Sequence, residues 1–559
     1  MHGFMKRAKK KCAPTPLYIS PAQLSLDCFK SPFDQHLNFK NRWVVLATLI
    51  PWDEVCNLYI KHVGVSDTGR PPLNPRVVLG SLIIKHMCNL DDRETVDQIS
   101  ENIYMQYFLG YSSFTSEAPF DASLFVEFRK RLGMDILNII NEKIASLKTH
   151  IENKEKKTSP TIDLKSPSDH NSISAESLMN SQHEGDEKET TPIHDLEPLP
   201  DQNSNPTEPK NKGRIIFDAT ACPQDIAYPT DLDLLSDARK KSEELIDKLY
   251  SPALLQKKPR TYRRIARKLY LNTAQKRNKS RKQIRKAVGS QLRLLKRNIK
   301  SINSLLDTYK EIPLKPKDYK YLLVINTLYE QQQKMYDSNS HRIEDRIVSI
   351  HQPHVRPIVR GKSQAKVEFG AKIHVSIIDG ISFLDELSWD AFNEGSHMMD
   401  YVEKYHQRFG CYPRELLADQ IYCTRANRAA IKEKGIKLLA KPLGRPSAAQ
   451  IHVSPGERNP IEGKFGQAKT AYGLNRIKAR LIGTSESWIA SIILVLNLVK
   501  LAGVALPCFI VKFIDDFSDS FSARWMIVPN SRFAFENCRK MILLPEIFNS
   551  NRINLKRAC

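Results

Sequence analysis

Apolar residues in the first 150 positions recur at helical spacing, with turn signals between them. PPLNPRVVLGSLIIKHM places Pro75 near a helix start, and DDRETVDQISEN offers Asp91 or Asp92 as an N-cap. DASLFVEFRKRLG ends at Gly133, a possible helix stop. We therefore predict an all-α domain over residues 20–150, a pattern that fits a helix-turn-helix or a plain helical bundle equally well.

The pattern changes to that of an α/β domain from residue 213 onwards. An apolar strand at 214–223 precedes long helices at 230–345. Two apolar runs, 373–378 and 381–387, then flank Asp379-Gly380, which predicts a hairpin.

Helices and strands alternate after this hairpin. We predict a helix at about 397–409, a strand ending at Asp419, a helix from about Arg425, a short strand at 436–443 and a helix within 456–482. This order predicts an α/β fold with a mixed sheet and a large helical insertion at 230–345.

Two further segments complete the organisation. Residues 152–212 are polar and contain no aromatic residue, so we predict a disordered linker. The apolar stretch 487–514 is interrupted by Asn497 and Lys500, and the part before Lys500 is too short to span a bilayer. We expect a buried core helix followed by a strand or loop, a catalytic domain over 213–510 and a tail at 511–559.

Positive charge is concentrated in one part of the chain. The formal net charge is +23, and residues 257–300 hold 18 Lys and Arg and no acid in 44 positions, with Tyr262 and Tyr270 among them. Such a segment is typical of a nucleic-acid-binding face. A solvated helical face, a calmodulin-like target and a membrane-surface segment are the alternatives.

Three acids form the candidate chemistry. Asp218 and Asp419 each follow an apolar strand, where α/β sheets gather ligands, and Glu462 lies near a later helix start. Their oxygens suit Mg²⁺ or Mn²⁺, and two such ions can act on a phosphodiester. Alternatively, Asp218 caps a turn, Asp419 starts a helix, and Glu462 completes a capping box with Asn459 as N-cap and Pro460 as first helical residue.

These residues carry a family resemblance. Arg458, three residues, Glu462, six residues and Lys469 follow the third-acid motif of bacterial insertion-sequence transposases of the DDE class, although Pro455 stands where the family has Tyr. FDATACPQDIAYPTDLDLLSDAR and EFGAKIHVSIIDG are similar to the family's first-Asp and hairpin segments. Residues 214–482 thus resemble the catalytic domain of these enzymes, and 40–140 resemble their helical N-terminal domain.

The resemblance implies an RNase H-like catalytic domain in which Asp218, Asp419 and Glu462 bind two divalent ions. It also implies DNA contacts by Lys469 at the transposon-end phosphate, by Arg458 to DNA or to Glu462, and by a basic stripe. The predicted DNA-binding residues are Arg458, Lys469, Arg476, Arg480, Arg263, Arg264, Arg267 and Lys268. A surface helix with charge pairs is the alternative for those near Glu462. Asp225, Asp231 and Asp379 rank below the three acids, with Asp225 the best substitute for Asp218.

The functional hypothesis is a transposase that binds the terminal inverted repeats of an insertion sequence, cleaves double-stranded DNA at the element ends and joins the 3′-hydroxyl to target DNA. Synapsis of two ends implies a homo-oligomer, dimer or larger. Ten cysteines without a Cys-x-x-Cys pair, and an N-terminus without an apolar signal region, predict reduced thiols in a cytosolic compartment. Together with the family resemblance, this implies a bacterial cytoplasmic protein, nucleoid-associated when DNA-bound, with no membrane partner. A non-catalytic DNA-binding protein (inactivated transposase or repressor) and a plain nuclease of the same fold are the rival hypotheses.

Overall fold

A computed structural model describes residues 37–64, 72–158, 211–359, 367–440 and 455–524. The N-terminal part contains the helices α1 (Arg42–Leu49), α2 (Trp52–Val63), α3 (Pro75–Cys88), α4 (Asp92–Glu101), α5 (Ile103–Phe108) and α6 (Leu124–Thr158). The predicted helix start at Pro75 is confirmed, because Asn74 caps α3 through the backbone N–H of Arg76. Asp91 caps α4 in a capping box with Glu94.

Helix α6 differs from its prediction at both predicted boundaries. Gly133 has φ 59°, so it breaks the helical geometry, but the helix resumes after it. The helix then continues to Thr158, into the segment predicted as a linker. Residues 159–210 of that predicted linker lie outside the described part of the chain.

One mixed sheet forms the centre of the second half of the chain, which confirms the predicted α/β pattern. Its strands are β1 (Arg214–Pro223), β2 (Arg356–Val359), β3 (Val367–Ile378), β4 (Ile381–Ser388), β5 (Glu415–Leu417) and β6 (Lys437–Leu439). The order is β2-β3-β1-β5-β6, and β4 also pairs with β3. Strand β1 is antiparallel to β3 and parallel to β5. The predicted hairpin is confirmed, with Asp379 and Gly380 both at positive φ in the turn between β3 and β4.

Four helices lie between β1 and β2, as the sequence predicts for 230–345. They are α7 (Asp231–Leu249), α8 (Arg263–Ala274), α9 (Arg281–Leu306) and α10 (Pro316–Asp337). These helices have their own apolar core, separate from that of the sheet, which includes Leu235, Leu295 and Ile325. The basic segment therefore belongs to a helical unit that does not depend on the sheet for its packing.

The remaining helices are α11 (Met398–Phe409), α12 (Arg425–Glu433), α13 (Asn459–Ala471) and α14 (Ile482–Arg524). Helix α14 is a core helix at its start, as predicted, but the strand or loop expected after it is wrong, because the helix continues through Pro507 to Arg524. Its first part, Ile482–Gly503, is long and apolar enough to cross a bilayer, and 78% of its most apolar window is buried inside the protein. A buried core helix has the same composition, so this feature is no argument for a membrane span.

Asn497 explains the polar interruption of that apolar helix. Its side chain is fully buried and donates to Asn141 Oδ1 at 2.7 Å and to the carbonyl of Ser382 at 2.7 Å. Its Oδ1 accepts from the backbone N–H of Ser382 at 2.8 Å. Since buried polar groups need partners, this network fixes the register of α14 against both α6 and β4.

An ion cluster also joins the N-terminal helices to α14. Asp92 receives Lys85 at 2.9 Å and both terminal nitrogens of Arg129 at 2.9 Å. The two cations lie over the ring of Trp488, at 4.8 and 5.3 Å from its centroid. Burial raises the pKa of Asp92, but Arg129 and Lys85 outweigh it and lower that pKa to about 2.

The Asp92 cluster predicts a pH dependence of stability. Because the folded pKa lies below the ordinary value, the charged carboxylate stabilises the fold above about pH 4, and this contribution is lost as the pH falls towards 2. We expect Asp92→Asn to lower the free energy of unfolding by about 2 kcal/mol at pH 7 and by less at pH 2. Urea unfolding at several pH values measures this. Asp97→Asn on the same helix is the control, with an expected change of no more than about 0.5 kcal/mol. A loss in Asp92→Asn that stays constant with pH contradicts the assignment.

Candidate active site

The pairing of β1 with β5 brings two of the predicted acids together. In this parallel register Ile216 of β1 lies opposite Leu417 of β5. Asp218 follows Ile216 by two residues, and Asp419 follows Leu417 by two residues. Both carboxylates therefore sit at the same edge of the sheet, beyond the carboxyl end of β5, where ligands gather in α/β folds.

Asp218 lies within β1 and is partly buried, with 23% of its side chain exposed. Its Oδ1 accepts the backbone N–H of Ala219 at 2.8 Å. Burial raises the pKa of Asp218, Ala219 and Arg458 oppose this, and the charges of Asp419 and Glu394 raise it further. A carboxylate in this position needs a positive partner to remain charged.

Asp419 is more open, with 57% of its side chain exposed. It caps the short 3-10 turn Gln420–Tyr422 and accepts the backbone N–H of Gln420 at 2.7 Å. The alternative that Asp419 starts the next helix is wrong, because Thr424 caps α12. One of its oxygens is used by the turn, and its exposed position leaves it accessible to a ligand from solvent.

Arg458 lies between the two acids. Its Nη2 is 3.6 Å from Asp218 Oδ2, and its Nη1 is 3.3 Å from Asp419 Oδ1. Its Nε is buried and has no hydrogen-bond partner among the described residues. A single guanidinium thus compensates both carboxylates through two loose ion pairs.

Helix α13 positions Arg458 and the third predicted acid, Glu462. Ile461 is fully buried and packs with Ile216 of β1 and Leu417 of β5, which fixes the start of the helix against the sheet. Arg458 is the N-cap residue and makes no side-chain cap, and Asn459 is already helical. The capping-box alternative, which needs Asn459 as N-cap, is therefore wrong.

The site meets only part of what a two-ion centre requires. Asp218 and Asp419 both contact the guanidinium of Arg458, so their oxygens lie close together. Carboxylate oxygens are hard ligands, and as a pair they fit Mg²⁺ or Mn²⁺. Glu462 is exposed on the first turn of α13. Among the described residues, no three His, Cys, Asp or Glu side chains are grouped closely enough to hold a metal ion. The structure thus brings two of the three acids together, and the role of Glu462 stays a prediction.

A second ion pair adjoins the site and was missed by the sequence analysis. Lys372 of β3 binds Glu394 and donates to the carbonyl of Phe392 at 2.7 Å. Glu394 raises the pKa of Asp218, and after burial it is the largest cause of the raised pKa of Tyr422. Glu394 is therefore a third negative charge near the acid pair. The only sequence signal was an acid in the loop after the hairpin.

The predicted cations near α13 have different environments. Arg476 binds Asp225 at 2.9 Å, so Asp225 is held by its own partner. Arg480 is exposed in the segment after α13, and Lys469 is half-buried on α13 itself. The helix predicted within 456–482 is confirmed, and it ends at Ala471. Arg476 and Arg480 therefore lie on a loop that pairs with the end of β1 at Gln224.

The other lower-ranked acids lie elsewhere. Asp231 binds Arg346 at 2.7 Å in the helical insertion, and Asp379 forms the hairpin turn. Neither is placed with Asp218.

Four predicted DNA-binding residues lie on α8. Arg263 binds Asp247 and also approaches Glu243 on α7, so it is engaged within the protein. Arg264, Arg267 and Lys268 are exposed and make no ion pair within the described part of the chain. Tyr262 is also exposed, with Arg297 over its ring at 4.1 Å. Three cations thus face solvent on one short helix, and an exposed aromatic ring lies at its N-cap.

Comparison with known proteins identifies two segments. Residues 31–131 match a family described as a transposase domain (DUF772), and residues 416–499 match a transposase DDE domain. The second segment contains Asp419, Arg458, Glu462 and Lys469, and Asp218 lies outside both. The chain therefore carries transposase domains, and its resemblance to bacterial transposases of the DDE class is confirmed. Such domains imply DNA as a partner and divalent-metal-dependent chemistry.

A curated relative covers a smaller part. The uncharacterized protein ORF8 in the nfe locus of Rhizobium meliloti is 36% identical over 116 residues, which is 20% of this chain. The aligned region is 54% of that protein, so the chain spans about half the length of this relative. No solved structure matches the chain significantly.

The Lys372–Glu394 pair predicts a strong coupling energy. We expect Lys372→Met to lower the free energy of unfolding by about 3 kcal/mol, because it leaves the mostly buried carboxylate of Glu394 without its cation. The double variant Lys372→Met/Glu394→Gln should recover most of that loss. Lys434→Met, which breaks a more exposed pair with Glu403, should cost less than about 1 kcal/mol. Urea unfolding measures all three, and additive losses in the double variant contradict the pairing.

Proposed function

We propose that this protein is a transposase that binds the terminal inverted repeats of an insertion sequence, cleaves the DNA at the element ends and joins the freed 3′-hydroxyl to target DNA. The observation that carries the proposal is the placement of Asp218 and Asp419 side by side on neighbouring parallel strands, within a chain that carries transposase domains. The antiparallel series β4, β3 and β1, followed by β5 and β6 in parallel, supports an RNase H-like catalytic domain.

The residues of the site have separate roles in this proposal. Asp218 and Asp419 hold the divalent ions, Mg²⁺ or Mn²⁺, with Glu462 as the third acid. Two bound ions supply activation of a water or a 3′-hydroxyl and stabilisation of the leaving oxygen. The side chain of Asp218 is mostly buried, and Lys469 contacts the transposon-end phosphate.

Exposed cations position the DNA without reading its sequence. Arg264, Arg267 and Lys268 of α8 and Arg480 near β1 contact phosphates. The N-terminal helices are the candidates for base readout. Synapsis of two element ends needs a dimer or larger assembly. The proposed location is the bacterial cytoplasm, with the protein on the nucleoid when DNA-bound.

The proposed function predicts that cleavage of DNA requires both acids of the pair. With Mg²⁺ and labelled duplexes that carry the element's own ends and flanks, we expect wild-type protein to cut at the ends. Asp218→Ala and Asp419→Ala should lower the cleavage rate at least about 100-fold, because a metal ligand is lost, while DNA binding persists. Asp225→Asn is the matched control and should stay within about twofold of wild type, since Arg476 already holds Asp225.

The outcomes separate the rival hypotheses. Binding without cleavage by wild type, in Mg²⁺ and in Mn²⁺, supports a non-catalytic DNA-binding protein. Nicks without joined products support a plain nuclease. Loss of cleavage in Asp225→Asn but not in Asp218→Ala moves the first acid to Asp225.

The proposed function also predicts that the exposed cations of α8 bind DNA phosphates. Replacing Arg264, Arg267 and Lys268 together by Gln should weaken binding to all duplexes, and should reduce the slope of log affinity against log salt by about 2 to 3. Replacing three exposed lysines of the same helical unit, Lys310, Lys315 and Lys317, removes equal charge and is the control. Equal slopes for both triple variants in a fluorescence titration contradict a DNA-binding role of α8.

A further inference from the structure

Arg458 occupies the place of a ligand between the two acids. It approaches Asp218 Oδ2 at 3.6 Å and Asp419 Oδ1 at 3.3 Å. On Asp218 the other oxygen, Oδ1, accepts the backbone N–H of Ala219. On Asp419 the same oxygen, Oδ1, contacts Arg458 and accepts the backbone N–H of Gln420. A cation that bridges the two carboxylates therefore competes with the guanidinium for Asp218 Oδ2 and for the negative charge of both acids.

The contacts of Arg458 are weak enough to be exchanged. Both distances exceed those of a direct charge-assisted hydrogen bond. Asp419 is more than half exposed, so solvent screens its pair with Arg458. Nε of Arg458 has no partner among the described residues, although it is buried. A guanidinium held this way has unused hydrogen-bonding capacity.

A DNA phosphate is a better partner for Arg458 than the two acids are. A guanidinium fits a phosphate with two parallel hydrogen bonds, which is a better match than two separated carboxylates. Arg458 is the N-cap residue of α13, and helix N-termini favour phosphate. Arg480 adds a positive charge on the loop that follows α13.

We propose that Arg458 is the resting counter-ion of the acid pair, that it competes with the divalent ion for Asp218 and Asp419, and that a DNA phosphate draws it away. This inference rests on the proposed function, since it concerns the regulation of the same site. Metal binding and DNA binding then assist each other, because each ligand removes what opposes the other. An enzyme built this way loads its metal when DNA is present.

The test measures Mn²⁺ binding to the full chain without DNA, by the electron paramagnetic resonance signal of free Mn²⁺. We expect Arg458→Gln to bind Mn²⁺ about tenfold more tightly than wild type, since two partly screened ion pairs no longer compete. Arg458→Lys retains a competing cation and should stay near wild type. Arg214→Gln is the matched control. It removes an arginine of β1 that binds Glu457 beside Arg458 and contacts neither acid, and it should change the affinity less than about twofold.

The outcomes distinguish failure of the inference from failure of the proposed function. Equal or weaker Mn²⁺ binding in Arg458→Gln, with binding that Asp218→Asn abolishes, overturns the inference and leaves the proposed function standing. A gain in Arg214→Gln equal to that in Arg458→Gln also overturns it, because the effect is then general charge. Mn²⁺ binding that does not depend on Asp218 in any variant overturns both the inference and the metal-dependent function. Thermal unfolding midpoints confirm that each variant is folded.

Discussion

Two carboxylates on adjacent parallel segments, one within β1 and one just beyond β5, repel each other, and the rest of this site is arranged around that repulsion. The parallel pairing of β1 with β5 makes the approach of Asp218 and Asp419 unavoidable. Asp419 and Glu394 both raise the pKa of Asp218, which burial has already raised. Arg458 supplies the compensating charge, and Ile461 holds it there by packing the start of α13 on the same two strands. The compensating charge of the acid pair thus comes from within the protein.

Helix α14 connects this site to the N-terminal helices. Its apolar side packs with both, and Asn497 ties it to α6 and to β4 through buried hydrogen bonds. Trp488 on the same helix lies under Lys85 and Arg129, which are bound to Asp92. The N-terminal helices and the sheet therefore share one continuous core in the described residues, whereas α7 to α10 pack among themselves. This difference leaves the basic α8 on a unit that is separate in its packing from the acid pair.

Several elements of the fold could be predicted from local sequence patterns. The hairpin at Asp379-Gly380, the helix start at Pro75 and the strand that carries Asp218 depend on turn chemistry and on short apolar runs, which the sequence displays directly. The two acids were predicted as a pair because both follow strands. Their adjacency depends on strand order, which a family resemblance suggested and periodicity alone did not.

The features that escaped prediction depend on distant contacts. Arg458 meets Asp218 across 240 positions of sequence, and Lys372 meets Glu394 through the return of the chain from β4. Glycine and proline usually end a helix. Helix α6 nevertheless continues beyond Gly133, and α14 continues through Pro507. The position of Glu462 depends on how α13 meets the sheet, which sequence spacing does not encode.

The most direct test of the account is a crystal structure of the protein with Mn²⁺ and duplex DNA, with the manganese located by its anomalous scattering. The account predicts manganese bound by oxygens of both Asp218 and Asp419, with Arg458 moved to a DNA phosphate. Manganese found only away from both carboxylates, with Arg458 still between them, would contradict it.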